Sequence, residues 1–287
     1  MRLLLSAATL AAALFVVPVA VAADAVKVVA AENFYADLAT EIGGDHVTVT
    51  AILSNPDQDP HLFETSPSTA RAVAGAGIVL YNGAGYDPWM ETLLAAAPAA
   101  GRGVIVAAEV TGHRAGDNPH LWYDPPTFPA VARALAAELT KRDPADAAEF
   151  ESRLAQFMAR WAPVTAMIAE IRATHGGTAV AATEPVFGYM AAALGFTMLD
   201  EGFQLAVMNE TEPSPRQVAE LEESLRSGAA KILFYNPQVT DDTTGRLVQL
   251  ARDSQVKVIG ITETEPAGTT IPEWLLGQLT QIEDALK

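Results

Sequence analysis

The sequence predicts an α/β protein of two (β/α) lobes with parallel sheets, joined by one long backbone helix, with a ligand cleft between the lobes. Two observations carry this expectation. Short apolar, β-branched runs alternate with Ala-rich stretches of helical character, a pattern that repeats after a break. Between the two sets, apolar residues recur at steps of four and three over more than twenty positions.

The first set of runs is "VKVVAA" (26 to 31), "VTVTAIL" (47 to 53), "GIVLYN" (77 to 82) and "GVIVAA" (103 to 108). Runs of this length, rich in Val and Ile and separated by helical stretches, read as strands buried on both faces of a parallel sheet. The intervening stripe of Phe150, Leu154, Phe157, Trp161, Val164, Ile168 and Ile171 puts seven apolar residues on one face of a helix, giving a connector from about 143 to 175. Pro163 lies off the stripe and removes a backbone donor, so a kink is expected near it. The second set is "TAVAATE" (178 to 184), "GFTML" (195 to 199), "KILFYN" (231 to 236) and "VKVIGITE" (256 to 263). The expected divisions are thus a lobe over 24–142, the connector over 143–175 and a lobe over 176–287.

Residues 1–22 carry one positive charge at Arg2, an apolar run from Leu3 to Val17 broken by Pro18, and the small-x-small triplet Ala20-Val21-Ala22. This is the pattern of a cleaved signal peptide and implies export to the periplasm. The chain has no cysteine, so thiolate metal sites, Cys nucleophiles, iron–sulfur chemistry and a lipid on an N-terminal cysteine are all excluded, and no direct membrane anchor is expected. Eighteen basic against 35 acidic residues leave a net charge of -17, a field that favours cations and opposes a sequence-independent grip on nucleic acid or anionic lipid.

In open parallel sheets, ligands sit beyond the carboxyl ends of the strands. Here those ends read Glu32-Asn33, Ser54-Asn55, Asn82, Glu109, Glu184, Asn236 and Glu263. Of the five histidines, His46 before "VTVT" and His175 before a Gly pair read as structural, and His113 as a solvated loop residue. His61 in "DPHLFE" and His120 in "NPHLWYD" differ, because Pro fixes the backbone before each imidazole and Leu plus an aromatic follow to pack beneath it. A buried structural histidine would use the same frame. Glu184 stands at a strand-to-helix junction, as a helix cap or as a carboxylate presented to the cleft. Glu263 and Glu265 end the last run at a spacing of two, which along a strand puts both on one face. Two imidazoles and two carboxylates would neutralise a divalent cation with a nitrogen and hard-oxygen set suited to Mn²⁺ or Zn²⁺.

The ordered motifs "DPHLFETSPS", "ADLAT", "IVLYNG", "NPHLWYDP", "LAAELTKRDP", "EPVFGYMAAALG", "ETEPSPRQVAELEESL", "ILFYNPQ" and "TEPAG" resemble the zinc/manganese-type substrate-binding proteins of ABC importers across the whole mature sequence. The resemblance implies two lobes closing around one cargo cation, Mn²⁺ or Zn²⁺, delivered to a membrane permease by a protein that is not an enzyme and is expected to be a monomer. Carried over residue by residue, it implies the ligands His61, His120, Glu184 and Glu265, the last in "EPAG" where the family usually has Asp, with Glu263 in reserve. Glu at the third position, and only His113 between His61 and His120, lean toward manganese, while the Irving–Williams order favours zinc. Asn82, Trp122 and Tyr189 are expected to orient the ligands, and Glu212 to be structural. The competing classes are a metal-dependent hydrolase, for which no "HExxH" or "GxSxG" pattern is present, and a chaperone or adhesin on the same fold.

Overall fold

The computed structural model describes residues 25–55, 60, 63–209, 211–239 and 242–287. The signal segment and His61 lie outside them. The first sheet holds β1 (Val26–Glu32), β2 (Val47–Leu53), β3 (Ile78–Tyr81) and β4 (Gly103–Val106). The second holds β5 (Ala179–Ala182), β6 (Thr197–Met198), β7 (Ile232–Tyr235) and β8 (Lys257–Gly260). Every pairing is parallel, and the orders β2-β1-β3-β4 and β6-β5-β7-β8 are the same topology used twice. Each sheet reverses direction of travel beside its first strand, which opens a crevice at the carboxyl ends of β1 and β3 and of β5 and β7.

The helices are α1 (Asn33–Gly43), α2 (Pro67–Ala74), α3 (Pro88–Ala96), α4 (Ala107–Thr111), α5 (Thr127–Arg142), α6 (Ala147–His175), α7 (Gly188–Ala193), α8 (Glu201–Met208), α9 (Pro215–Arg226), α10 (Asp242–Asp253) and α11 (Ile271–Leu286). Helix α6 is the expected connector. It runs 29 residues through Pro163, with Phe150, Phe157, Trp161, Val164, Ile168 and Ile171 of the stripe buried and Leu154 half-buried. Capping boxes start α9 at Ser214 and α11 at Thr270, where each side chain takes the N–H three residues on and Gln217 or Glu273 returns the bond. Among the described residues no helix is long and apolar enough to cross a membrane.

Strand alternation divides the second sheet between two cores. Val180, Ala182, Ile232 and Phe234 face a large core that continues through α6 and α11 into the first lobe. Ala181 and Leu233 face a smaller one made with Leu221 and Leu225 of α9 and Leu247, Val248 and Ala251 of α10. The large core is aromatic where the lobes meet: Phe128 packs on Trp161 at 5.7 Å, Phe34 on Trp274 at 6.1 Å, and Tyr123 on Phe187 at 5.0 Å. Burying side chains of this size stabilises by about 1.5–3 kcal/mol each, so the lobes share apolar area that wide separation would expose.

Candidate metal centre

His120 comes from the loop between α4 and α5, and the short 3-10 turn Leu121–Tyr123 after it is entirely buried. The Trp122 ring meets the imidazole edge-on at 5.2 Å and 77°, the packing expected of the Pro-His-Leu-aromatic frame. Asn118, two residues earlier, brings its Oδ1 to 2.6 Å from His120 Nδ1 and also accepts the His120 backbone N–H. An amide oxygen can only accept, so Nδ1 carries the proton and Nε2 presents a lone pair, the tautomer a metal ligand requires. Asn82, at the end of β3, donates to the Pro119 carbonyl at 2.7 Å, and Tyr189 donates to the Asn118 carbonyl at 2.8 Å. The three expected orienting residues therefore all bear on the His120 segment.

The second lobe meets this imidazole with carboxylates. Glu263 Oε2 lies 3.8 Å from His120 Nε2, with both side chains almost wholly buried. Two ligands about 2.1 Å from one tetrahedral ion sit roughly 3.4 Å apart, so this gap is within a few tenths of an ångström of bonding geometry. Asn236, just past β7, donates from Nδ2 to Glu263 Oε1 at 2.6 Å and to Glu184 Oε2 at 3.3 Å, holding the two carboxylates side by side. Glu184 precedes a 3-10 turn as its cap residue but makes no side-chain capping bond. Tyr86 donates to Glu263 Oε2 at 3.0 Å, and Gln238 accepts the Glu263 N–H at 2.6 Å while its own amide donates to Thr264 Oγ1 at 2.8 Å. Burial first, and Glu263 next, push the Tyr86 hydroxyl far above its ordinary value, so it serves as a proton donor. A cavity of about 420 Å³ bounded by Asn118, Tyr189, Met198 and Leu205 borders this corner without including His120, Glu184 or Glu263.

Glu265 is not brought to this corner. Its N–H donates to Asn33 Oδ1 and its carbonyl accepts from Asn33 Nδ2, clasping the lobes at 3.1 and 2.7 Å. Burial, followed by the charges of Asp37, Glu41 and Glu273, pushes its carboxyl up to about 9. The strand-face expectation fails because β8 ends at Gly260, and the irregular loop after it sends Glu263 and Glu265 to different surroundings. Sequence reasoning named Asn236 only as a strand end, and passed over Asn118, Tyr86 and Gln238. The position of Asn118 in "NPHLWYD", two residues before an imidazole, was the available signal.

At the switch point of the first sheet the corresponding group is Glu32, fully buried beside Asp87. Asp87 accepts the N–H groups of Asn82 and Gly83 at 2.7 and 2.8 Å, so it shapes the turn that carries Tyr86. Burial and then the Asp87 charge push the Glu32 carboxyl well above the usual range. A Cβ on Gly188 would come within 3.0 Å of Asn118 Nδ2, whose bond to the Pro185 carbonyl at 2.7 Å links the lobes beside the site.

The chain matches the family model described as "ZnuA: Zinc-uptake complex component A periplasmic" over residues 28–285. It is 25% identical over 240 residues to the manganese-binding lipoprotein MntA of Bacillus subtilis, covering 79% of this chain and 76% of that one. It is also 25% identical over 250 residues to the manganese ABC transporter substrate-binding lipoprotein PsaA of Streptococcus pneumoniae, covering 82% and 78%. Among solved structures, the periplasmic zinc binding protein TroA from Treponema pallidum superposes with a TM-score of 0.74 at 20% identity, covering 91% of this chain and 98% of that one. The laminin binding protein Lmb of Streptococcus agalactiae, described as bifunctional with adhesin and metal transporting activity, gives 0.75 at 22%, covering 91% and 100%. With a two-lobe parallel architecture and a family match spanning nearly all of its described length, the chain belongs to the ZnuA family of periplasmic zinc-uptake components.

Proposed function

We propose that this chain is an extracytoplasmic receptor, not an enzyme, that captures one divalent transition-metal ion between its lobes and hands it to the membrane permease of a metal ABC importer. The observation that carries this reading is the buried convergence of an imidazole from one lobe and a carboxylate from the other, His120 and Glu263, with the imidazole tautomer set by Asn118. The proposed ligands are His61, His120, Glu184 and Glu263, with Glu265 replaced by its neighbour two residues earlier. His61 enters through its frame, "DPHLFE", which matches that of His120, and through Phe63, whose ring is anchored on Trp89 at 4.6 Å. Two nitrogens and two carboxylate oxygens suit Mn²⁺ or Zn²⁺ over Mg²⁺ and Ca²⁺, which favour all-oxygen shells.

The division into lobes 24–142 and 176–287 about a connector 143–175 follows the two sheets and α6. Release works against a shared core and against interlobe bonds such as Tyr123 Oη to the Thr262 carbonyl at 2.8 Å. The irregular loop that carries Glu263 makes several of these interlobe bonds, through Thr262, Glu263 and Glu265, and the permease would act on that loop. Export by a cleaved signal peptide, a monomeric state and freedom from a lipid anchor complete the proposal.

Elemental analysis of protein purified without added metal, followed by competition between Mn²⁺ and Zn²⁺, tests it. One tightly held equivalent of transition metal per chain, carried through purification and lost in His120→Ala with the circular dichroism spectrum unchanged, is the expected result. Parent and variant binding the same ion equally would refute it.

A further inference from the structure

The amino edge of the first sheet, opposite the cleft, carries a second convergence of imidazole and carboxylate. His46 ends the 3-10 turn Gly44–His46, immediately before β2. Asp143 caps the end of α5, Asp146 closes the 3-10 turn Pro144–Asp146, and Glu149 sits in the first turn of α6. One ligand atom each from His46, Asp143 and Asp146 lies within 4.8 Å of the other two. Strand β2 has seven residues rising about 3.3 Å each, so the cluster stands on the order of 20 Å from the carboxyl edge that faces the cleft. One ion cannot serve both places.

Each ring nitrogen of His46 faces a carboxylate. His46 Nε2 faces Glu149 Oε2 at 3.2 Å, and Nδ1 faces Asp146 Oδ2 at 3.3 Å. Glu149 Oε1 is held by Arg153 at 2.8 and 3.0 Å, which fixes that carboxylate as the acceptor for Nε2–H. A neutral imidazole has one N–H, so Nδ1 then turns a lone pair toward Asp146, and Asp143 adds another acceptor. Arg142, beside Asp143, is committed to Glu138 and to the Gly101 carbonyl, and supplies no donor. Phe150 meets the imidazole edge-on at 5.1 Å and holds its plane. With one N–H on the imidazole, Nδ1, Asp143 and Asp146 converge as three acceptors that a divalent cation can join in place of a second ring proton, and a carboxylate on the far ring nitrogen is the arrangement that orients metal-ligating histidines. The 3.3 Å gap between Nδ1 and Asp146 also matches the roughly 3.4 Å spacing of two ligands on one tetrahedral ion.

We propose that His46, Asp143 and Asp146 form a second divalent-metal site, oriented by Glu149, that takes Zn²⁺ or another ion of mixed nitrogen and oxygen preference. Water completes the shell, because His46 is 24% and Asp146 42% exposed, and this site is accordingly weaker than a fully side-chain-closed one. Its occupant ties the turn before β2 to the foot of α6, the helix that joins the lobes.

The test is Zn²⁺ equilibrium dialysis on the tag-free full chain at pH 7.5, comparing the parent with His46→Gln, Asp143→Asn, His120→Ala and the double variant His46→Gln/His120→Ala. His46→Gln is expected to lose one equivalent relative to the parent, Asp143→Asn to weaken that same equivalent at least tenfold, and the double variant to lose an equivalent that His120→Ala alone retains. These comparisons score the peripheral site whether or not the cleft binds. Equal stoichiometry in the parent and His46→Gln, with Asp143→Asn unchanged, overturns the proposal. Occupancy by a proton alone, seen as an imidazole titration insensitive to Zn²⁺, overturns it equally.

Discussion

Exchanging one carboxylate for its amide at position 263 and at position 265 separates ligand from bystander. Glu263 is fully buried, accepts from Asn236 and Tyr86, and points Oε2 at His120 Nε2 across 3.8 Å. Residues that merely orient a ligand are worth about 10- to 100-fold in metal affinity, so removing the ligating charge itself should cost more than about 100-fold, or roughly 2.7 kcal/mol. Glu265 is also buried, but burial and the nearby Asp37, Glu41 and Glu273 push its carboxyl up to about 9. It therefore keeps its proton at neutral pH, and Glu265→Gln preserves its size and its lack of charge. Its effect on affinity should stay within about threefold, below the cost of losing even one ligand-orienting contact. Isothermal titration with Mn²⁺ and with Zn²⁺ at pH 7 measures both variants against the parent. Loss of more than 100-fold in Glu265→Gln, with Glu263→Gln close to the parent, would refute the assignment and restore the expectation drawn from "EPAG".

Three other outcomes follow from the same contacts. Asn236→Ala removes the amide that bridges Glu184 and Glu263, and should weaken metal binding about 10- to 100-fold while unfolding stays cooperative; titration calorimetry within twofold of the parent would contradict this. Metal binding should decline as pH falls from 8 to 5, since imidazole nitrogens must be free of protons to ligate; a flat profile would remove histidine from the site. Burial and then Glu41 push the Asp37 carboxyl up to about 6 from an ordinary 3.8, so the folded chain holds a proton the unfolded chain has lost, and stability falls as pH rises from about 4 to 6. Asp37→Asn, which can still accept the Ile271 N–H, should gain about 1–2 kcal/mol at pH 7.5 after allowance for partial exposure, and almost nothing at pH 3.5; urea unfolding without a gain at pH 7.5 would count against it.

The strands and the connecting helix were legible along the chain because each is a local pattern. Runs such as "VTVTAIL" and "KILFYN" announce buried parallel strands by their β-branched content, and the stripe from Phe150 to Ile171 announces one face of a helix whatever it packs against. The frame around His120 was legible for the same reason, since Pro, Leu and an aromatic act on their immediate neighbour. What tertiary structure alone decided is which distant groups share a point. Glu263 and Glu265 differ by two residues and by no local signal, and only the end of β8 at Gly260 and the pull of Asn236, just past β7, and of Asn33, at the start of α1, send them apart. His46 read as a turn residue because its partners at 143, 146 and 149 are about a hundred positions away, brought near by the packing of α5 and α6 against α1. Periodicity reports burial, a property of one residue and its neighbours in sequence. Coordination is a property of several residues and one location, and folding creates the location.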